Sequence, residues 1–399
     1  METSSSRRTS SGGGRRLRIA IVTPGRFHVV DLARELLALG HDVTLYSPLP
    51  PWQTRRMGVP ISHSRWLGPI AAGAVLAARR AMRSSRLREA AARAVGEAVD
   101  LSAAAALGPC DVVIGMSGLS LRTLQRARRR FGAVAIVERS SQHILAQREI
   151  LAALDPSGRR PELVVPRWTV ERELAEYEVA DRISVPARHV VRSFVARGVP
   201  EARLLRNPFG TDIARFRPTP PPPAGTRRIV MAGSWSLQKG ADVLVEAWRR
   251  LDRERPVELV HCGAVVDVPV PREARFLAAG FLSQAELWRR YGEANVFALA
   301  SRQEGMAVVQ LQALASGLPL VCTTRTGGED LRDYLADPEA VSVVPPEDPE
   351  ALAAALDAAL ERPPRLVDGA RDALGEGRHA LSWRGYAERW DDNLKELCG

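Results

Sequence analysis

The sequence predicts an α/β chain of two similar domains facing a cleft, and three observations predict it. The chain has 399 residues, more than one typical domain holds. A strand–helix–strand rhythm runs through the first half, stops, and restarts. The stop is Pro218-Thr-Pro-Pro-Pro-Pro-Ala-Gly225, which cannot lie inside a strand or a helix because proline lacks the backbone donor. Parallel strands joined by helical crossovers bind ligands outside their carboxyl ends. Two Rossmann-like domains with a ligand cleft between them are therefore expected.

The elements follow in order. Residues 1–15 are polar and rich in Ser and Gly, and read as a disordered tail. A first domain is expected over 16–217. Leu17–Val22 is a buried strand, Thr23–His28 a loop, Val29–Leu39 a helix closed by Gly40, and His41–Tyr46 a second strand. Such a βαβ unit crosses over right-handed. Arg79–Val99 has a helical pattern made basic by Arg79, Arg80, Arg83, Arg86, Arg88 and Arg93. It is either a solvated face or a surface for anionic membrane. Asp111–Gly115 reads as a strand, Ser120–Arg130 as a helix and Ala133–Glu138 as a strand.

After the linker, 218–225, a second domain is expected over 226–380. Its strands are Arg228–Ala232, Val257–Cys262, Val296–Leu299 and Pro319–Thr323; its helices are Lys239–Leu251 and Met306–Ser316. In the last segment, 381–399, Trp383, Tyr386, Trp390 and Leu394 recur at helical spacing, as a packing stripe does.

Composition narrows the class. The apolar fraction of 45% is ample for two cores. The net charge of +10 invites a nucleic-acid reading. Lys239 and Lys395 are the only lysines, however, and the arginines are interspersed with Glu and Asp. That pattern is a solvated basic surface, or one that attracts anionic donors or lipid, and no nucleic-acid partner is expected. Cys110, Cys262, Cys322 and Cys398 are scattered without metal-ligand spacing, which fits a reducing cytoplasm. No apolar run reaches the roughly 20 residues of a membrane span, and Gly68–Ala78 is too short. Arg15-Arg16 before Leu17–Val22 has the look of a twin-arginine signal, but the run is short and ends in Thr-Pro-Gly, as a strand would.

Four loops carry polar groups where chemistry belongs. The strongest is Ser301-Arg-Gln-Glu-Gly-Met-Ala307, between a strand and an apolar helix. Free N–H groups at such a helix start receive anions. Glu304 either accepts hydrogen bonds from sugar hydroxyls or complements the helix macrodipole. Gln312, two turns on, can donate to and accept from ribose hydroxyls. The second is Ala232-Gly-Ser-Trp-Ser-Leu-Gln-Lys-Gly240. A cation such as Lys239 is unfavourable at a helix start without an anionic partner, and it would neutralise a leaving diphosphate. The third holds Gly25, Arg26 and His28. Gly25 lets backbone approach a phosphate, though no Gly-x-Gly-x-x-Gly is present, and His28 either meets the acceptor or caps its helix. The fourth is Glu138-Arg-Ser-Ser-Gln-His143 at a strand end. Its His143 either handles a proton or acceptor, or is structural. No Asp-x-Asp, His-Glu-x-x-His or Gly-x-Ser-x-Gly occurs, so neither a metal site nor a serine hydrolase is expected.

Together these segments resemble glycosyltransferase family four, of GT-B architecture, over nearly the whole chain after the tail. Glu304-Gly305 with Gln312 is similar to its acidic-Gly motif, in which a second acidic residue stands eight positions on. Lys239-Gly240 matches its Lys-Gly, and Asn207-Pro-Phe-Gly-Thr-Asp212 its Asn-Gly-Val-Asp loop. Glu173–Pro186 looks like the stretch that leads into the last strand of its acceptor domain.

The resemblance implies a retaining, metal-independent transfer from a UDP- or GDP-sugar to a glycan, lipid-linked or small-molecule acceptor, with no cofactor. Cell-surface glycan or glycolipid synthesis would follow, in the cytoplasm or at the inner membrane face. Glu304 would contact the donor hexose, Lys239 the diphosphate and Gln312 the ribose. Gly25, Arg26, Gly233, Ser234, Gly305, Met306 and Ala307 would complete the donor site. His28, Glu138, Arg139 and Ser140 would meet the acceptor, with His143 as the catalytic histidine. The closing helix would return to the first domain.

Three departures stand out. Ser234 replaces an Arg, so one phosphate cation is either missing or supplied elsewhere, by Arg26 or Arg302. Gln312 replaces an acid. His143 lies three residues late. The rivals are a sucrose- or glycogen-type synthase, for which the chain is short, and a nucleotide-sugar-binding protein without turnover.

Overall fold

The computed structural model describes residues 15–81, 85–363 and 377–399, together with 365, 367–368, 371–372 and 374–375. The expected tail lies outside them except for Arg15, whose guanidinium donates to the Cys398 carbonyl at 3.2 Å. Of the expected basic helix, Arg83 and the side chains of Arg79, Arg80 and Arg86 lie outside the described residues.

The first sheet holds β1 (Arg18–Val22), β2 (Asp42–Ser47), β3 (Ser64–Trp66), β4 (Val112–Met116), β5 (Val134–Glu138), β6 (Arg182–Val185) and β7 (Leu204–Arg206). All pairs are parallel, in the order β3-β2-β1-β4-β5-β6-β7. Its helices are α1 (His28–Ala38), α2 (Pro51–Arg56), α3 (Gly68–Ala81), α4 (Ser85–Ala106), α5 (Leu121–Phe131), α6 (Ile144–Leu154), α7 (Arg167–Val179) and α8 (Arg188–Val195). The second sheet holds β8 (Arg228–Ala232), β9 (Glu258–Cys262), β10 (Phe276–Ala278), β11 (Val296–Leu299), β12 (Leu320–Thr323) and β13 (Val341–Val344). It is parallel too, in the order β10-β9-β8-β11-β12-β13. Helices α9 (Ala241–Glu254), α10 (Gln284–Gly292), α11 (Val308–Ala315), α12 (Gly328–Leu331), α13 (Pro349–Glu361), α14 (Gly377–Ala380) and α15 (Trp383–Cys398) follow.

Strands covered on both faces must be apolar throughout, and β4 and β11 are buried at every residue. The strand order reverses between β1 and β4, and again between β8 and β11. Those switch points open the crevices where ligands bind in such sheets. The loops after β8 and β11 carry Lys239 and Glu304.

Some element bounds differ from expectation for local reasons. The helix expected from Lys239 begins at Ala241, because Gly240 takes the left-handed conformation at the N-cap, φ 65°. The helix expected from Met306 begins at Val308 after an extended Ala307. The expected helix Arg79–Val99 is divided between α3 and α4. The proline run is fastened to the second domain rather than free. Thr219 N donates to Ser316 O at 3.1 Å, and the buried Arg365 guanidinium donates to the carbonyls of Thr219 and Pro220 at 3.1 and 3.0 Å.

Helix α15 crosses back to the first domain and packs on α1. Tyr386, Trp390 and Leu394 are buried there, while Trp383 is half-buried. Asp391 accepts from His41 Nε2 at 2.9 Å, and Arg389 donates to Asn207 Oδ1 at 2.9 Å and Pro208 O at 2.7 Å.

Candidate functional site

Backbone geometry brings Lys239 and Glu304 together. Beyond β8 the chain turns at Gly233, φ 129°, and runs to Gly240, where a side-chain carbon would overlap the Ala300 carbonyl of the neighbouring loop. Only glycine lets these two loops lie so close. Lys239 then forms an ion pair with Glu304, whose carboxylate also accepts from Ser301 Oγ at 3.3 Å. Both partners keep some exposure, 21% and 12% of the side chain, so an incoming anion can reach the ammonium.

The Glu304-Gly305 turn touches the first domain. A side-chain carbon at Gly305 would overlap the Ser140 carbonyl. Gln303 donates to Ser141 Oγ at 2.6 Å, His189 Nε2 bonds the Glu304 carbonyl at 3.1 Å, and Phe209 N approaches Met306 Sδ at 3.3 Å. Ala307 N donates to Thr326 O at 3.3 Å, which ties the start of α11 to the loop after β12. Asp330 of α12 accepts from Arg188 N at 3.0 Å and Arg206 Nη1 at 2.6 Å across the same interface.

A second group lines a cavity of about 940 Å³ between the domains. Gln312, Val308, Arg26, His28, Arg215 and Trp383 are among its walls, and Lys239 and Glu304 are not. Gln312 is 8% exposed, and its Oε1 has no partner among the described residues, as an acceptor awaiting a hydroxyl would be. Arg26 is exposed at the rim, and a side-chain carbon at Gly25 would meet only the Phe27 ring, at 4.0 Å, so backbone there is approachable. His28 pairs with buried Glu138 at 3.0 Å and stacks on Phe209 with ring centroids 4.3 Å apart. Glu138 Oε2 has no partner among the described residues.

Three of the expected site residues are held by other contacts in this structure. His143 does not reach the Lys239–Glu304 pair. It caps α6, accepting from Leu145 N at 3.2 Å, and packs between Tyr177 and Phe194. Arg139 is 6% exposed. It is buried against Glu173 at 3.1 Å and donates to Gln142 O. Arg302 is held bidentately by Asp242 at 2.7 and 2.8 Å. Ser234 Oγ lies 3.4 Å from Ser236 Oγ, beside the Lys239 turn. Sequence reasoning missed His189 and Asp330. His189 follows the end of β6, so its position at a strand's carboxyl end was the available signal.

Burial, with Arg197 and Arg139 adding, pulls His143 down to about 4. The ordinary value is about 6.5, so the unfolded chain takes up a proton first as pH falls. Stability is unaffected above that value and drops between about 6.5 and 4, by on the order of 3 kcal/mol for a shift of this size. His143→Asn keeps a good cap and removes that loss. It is expected to move the acid-unfolding midpoint to lower pH and to retain turnover within about threefold. Acid titration followed by circular dichroism, with an activity assay beside it, checks both. A large loss of turnover in a well-folded variant would restore His143 to the chemistry.

Among the described residues no group of His, Cys, Asp or Glu converges to hold a metal ion, and no helix is long and apolar enough to cross a membrane.

Residues 226–362 match the model of a family described as glycosyl transferases group 1. D-inositol 3-phosphate glycosyltransferase of Geodermatophilus obscurus is 29% identical, over 92% of this chain and 82% of that relative. Sucrose-phosphate synthase of Thermosynechococcus elongatus superimposes with a TM-score of 0.64 at 18% identity, over 96% of this chain and 99% of that one. Anabaena HepE, solved in complex with UDP-glucose, has a TM-score of 0.59 at 12% identity, over 96% and 100% of the two chains. These solved structures share the two-sheet fold.

Proposed function

We propose that this chain, which shares the GT-B fold and is similar to glycosyl transferases group 1 over residues 226–362, is a glycosyltransferase; it would transfer a hexose from a UDP- or GDP-sugar, with retention and without a metal. The observation that carries this reading is the convergence of Lys239 and Glu304 at the β8/β11 switch point, against the first domain. Lys239 would leave Glu304 for the donor diphosphate and stabilise the charge that develops as the C1–O bond to phosphate breaks. Glu304 would then accept hydrogen bonds from the hexose hydroxyls. The acceptor oxygen bonds C1 on the face the diphosphate leaves, and its proton passes to the departing phosphate oxygen. Gln312 would meet the ribose. The bound UDP-glucose of HepE supports a nucleotide-sugar donor.

The acceptor would be a glycan or a lipid-linked sugar, met at the inner membrane face. Ile70 and Leu76 on α3 are 77% and 61% exposed, which suits a peripheral contact with lipid.

A second reading, donor binding without transfer, is favoured by one observation: Asp242 holds Arg302, a candidate to replace the arginine missing at Ser234.

The test is a thermal-shift screen against UDP- and GDP-sugars, followed by proton NMR of the product with and without EDTA. Anionic vesicles are included in a sedimentation arm. A donor that binds the folded state raises the melting temperature. The expected product keeps the donor's anomeric configuration, EDTA leaves the rate unchanged, and the protein sediments with the vesicles. An inverted product, or a rate lost to EDTA, overturns the mechanism. A melting shift without any product selects the second reading.

A further inference from the structure

We infer that His189 is a positioning residue, whose imidazole on the first domain holds the Glu304-Gly305 turn of the second where it meets the donor sugar. Docking of the two domains and placement of the Glu304 carboxylate then become one event. The inference rests on the reading of Glu304 given above.

His189 is the second residue of α8, and α8 is clamped to the opposite domain by other groups. Arg188 N donates to both carboxylate oxygens of Asp330, at 3.1 and 3.0 Å. The Arg188 and Arg192 side chains pair with Asp333 and Glu329 at 2.6 and 2.8 Å. None of these contacts reaches Glu304. His189 does, through Nε2 at 3.1 Å from the Glu304 carbonyl oxygen. The residue is only 7% exposed, so water competes little for that bond.

The chemistry of the contact fixes the state of the ring. A carbonyl only accepts, so Nε2 carries the hydrogen. Burial pulls His189 down to about 4, with the Glu304 carbonyl opposing and Arg192 adding, so at neutral pH the ring is neutral and holds one N–H. Lys239 and Ser301, both of the second domain, hold the Glu304 side chain. His189 holds its backbone from the other side. The backbone of the catalytic turn is thus anchored by the domain that it must meet. Separation of the domains breaks the bond and frees the turn.

The readout must differ from that of a merely structural contact. His189→Ala is expected to lower kcat by about tenfold or more, while the dissociation constant of UDP, which carries no hexose, stays within about threefold. His189→Gln, whose amide N–H can reach the same carbonyl, is expected to recover most of kcat. Hydrogen exchange at residues 301–307 is expected to rise by about tenfold in His189→Ala and to return in His189→Gln. Arg192→Ala removes an exposed ion pair of the same interface and is expected to leave kcat unchanged.

Wild-type kcat and exchange in His189→Ala would overturn the inference. So would a loss that His189→Gln fails to repair. If the wild type turned over no donor at all, the functional reading would fall by itself. The exchange at 301–307 would still decide whether His189 anchors the turn.

Discussion

Lys239→Ala is expected to lower kcat by on the order of 10²- to 10³-fold, the cost of removing one preorganised group from a developing charge. The side chain is partly exposed, and its ion pair among the described residues is with Glu304, so the core does not depend on it. The melting temperature should therefore move by only a few degrees, as for about 1 kcal/mol in a surface pair. Lys239→Arg should not restore full activity. A planar guanidinium carries the same charge but cannot take the place of a compact ammonium beside Glu304. Steady-state kinetics on a donor found by the thermal screen decides it. Turnover like that of the wild type would remove the phosphate role from Lys239, and with it the proposed leaving-group chemistry.

Gly305→Ala is the second large effect. The φ of Gly305 lies outside the left-handed region, so alanine costs nothing locally. The obstacle is across the cleft, where the new carbon would overlap the Ser140 carbonyl and crowd Ser141. Backbone on both sides leaves no flexible side chain to give way. The domains would have to stand apart by the depth of a methyl group, enough to misplace a reacting centre and cost about 10²-fold in transfer. Each domain should still fold, and UDP should still bind. Calorimetric UDP binding beside a kcat measurement separates these effects. An active Gly305→Ala enzyme would mean that catalysis does not need the Ser140 contact.

Much of the fold was legible in the sequence because buried parallel strands announce themselves. Ile19–Val22, Val296–Leu299 and Leu320–Cys322 are apolar without alternation, and each lies in a sheet. The short outer strands gave no such signal. Ser64–Trp66 and Phe276–Ala278 are three residues long and half-exposed, so burial imposes little pattern on them. The pairing of Lys239 with Glu304 was half legible. Strand-then-helix placement put each at a cleft, but sequence carries no information on which loops meet. His143 was legible only as an alternative, because a strand-end histidine can serve either as a helix cap or as a proton carrier, and the Leu145 contact shows the cap. His189 escaped notice for the reason that makes it informative: its partner is a backbone atom 115 positions away in another domain.

The return of α15 bears on how this chain is made. The face of α1 that it covers belongs to the first domain, yet the ribosome supplies the cover only after the entire second domain. Until then the first domain emerges with an uncovered helix face, and the His41 imidazole lacks its Asp391 carboxylate. Its final fastening is therefore a late, long-range step, of the kind that exposes apolar surface during synthesis. A stop codon anywhere before residue 383 would damage the domain that was translated first.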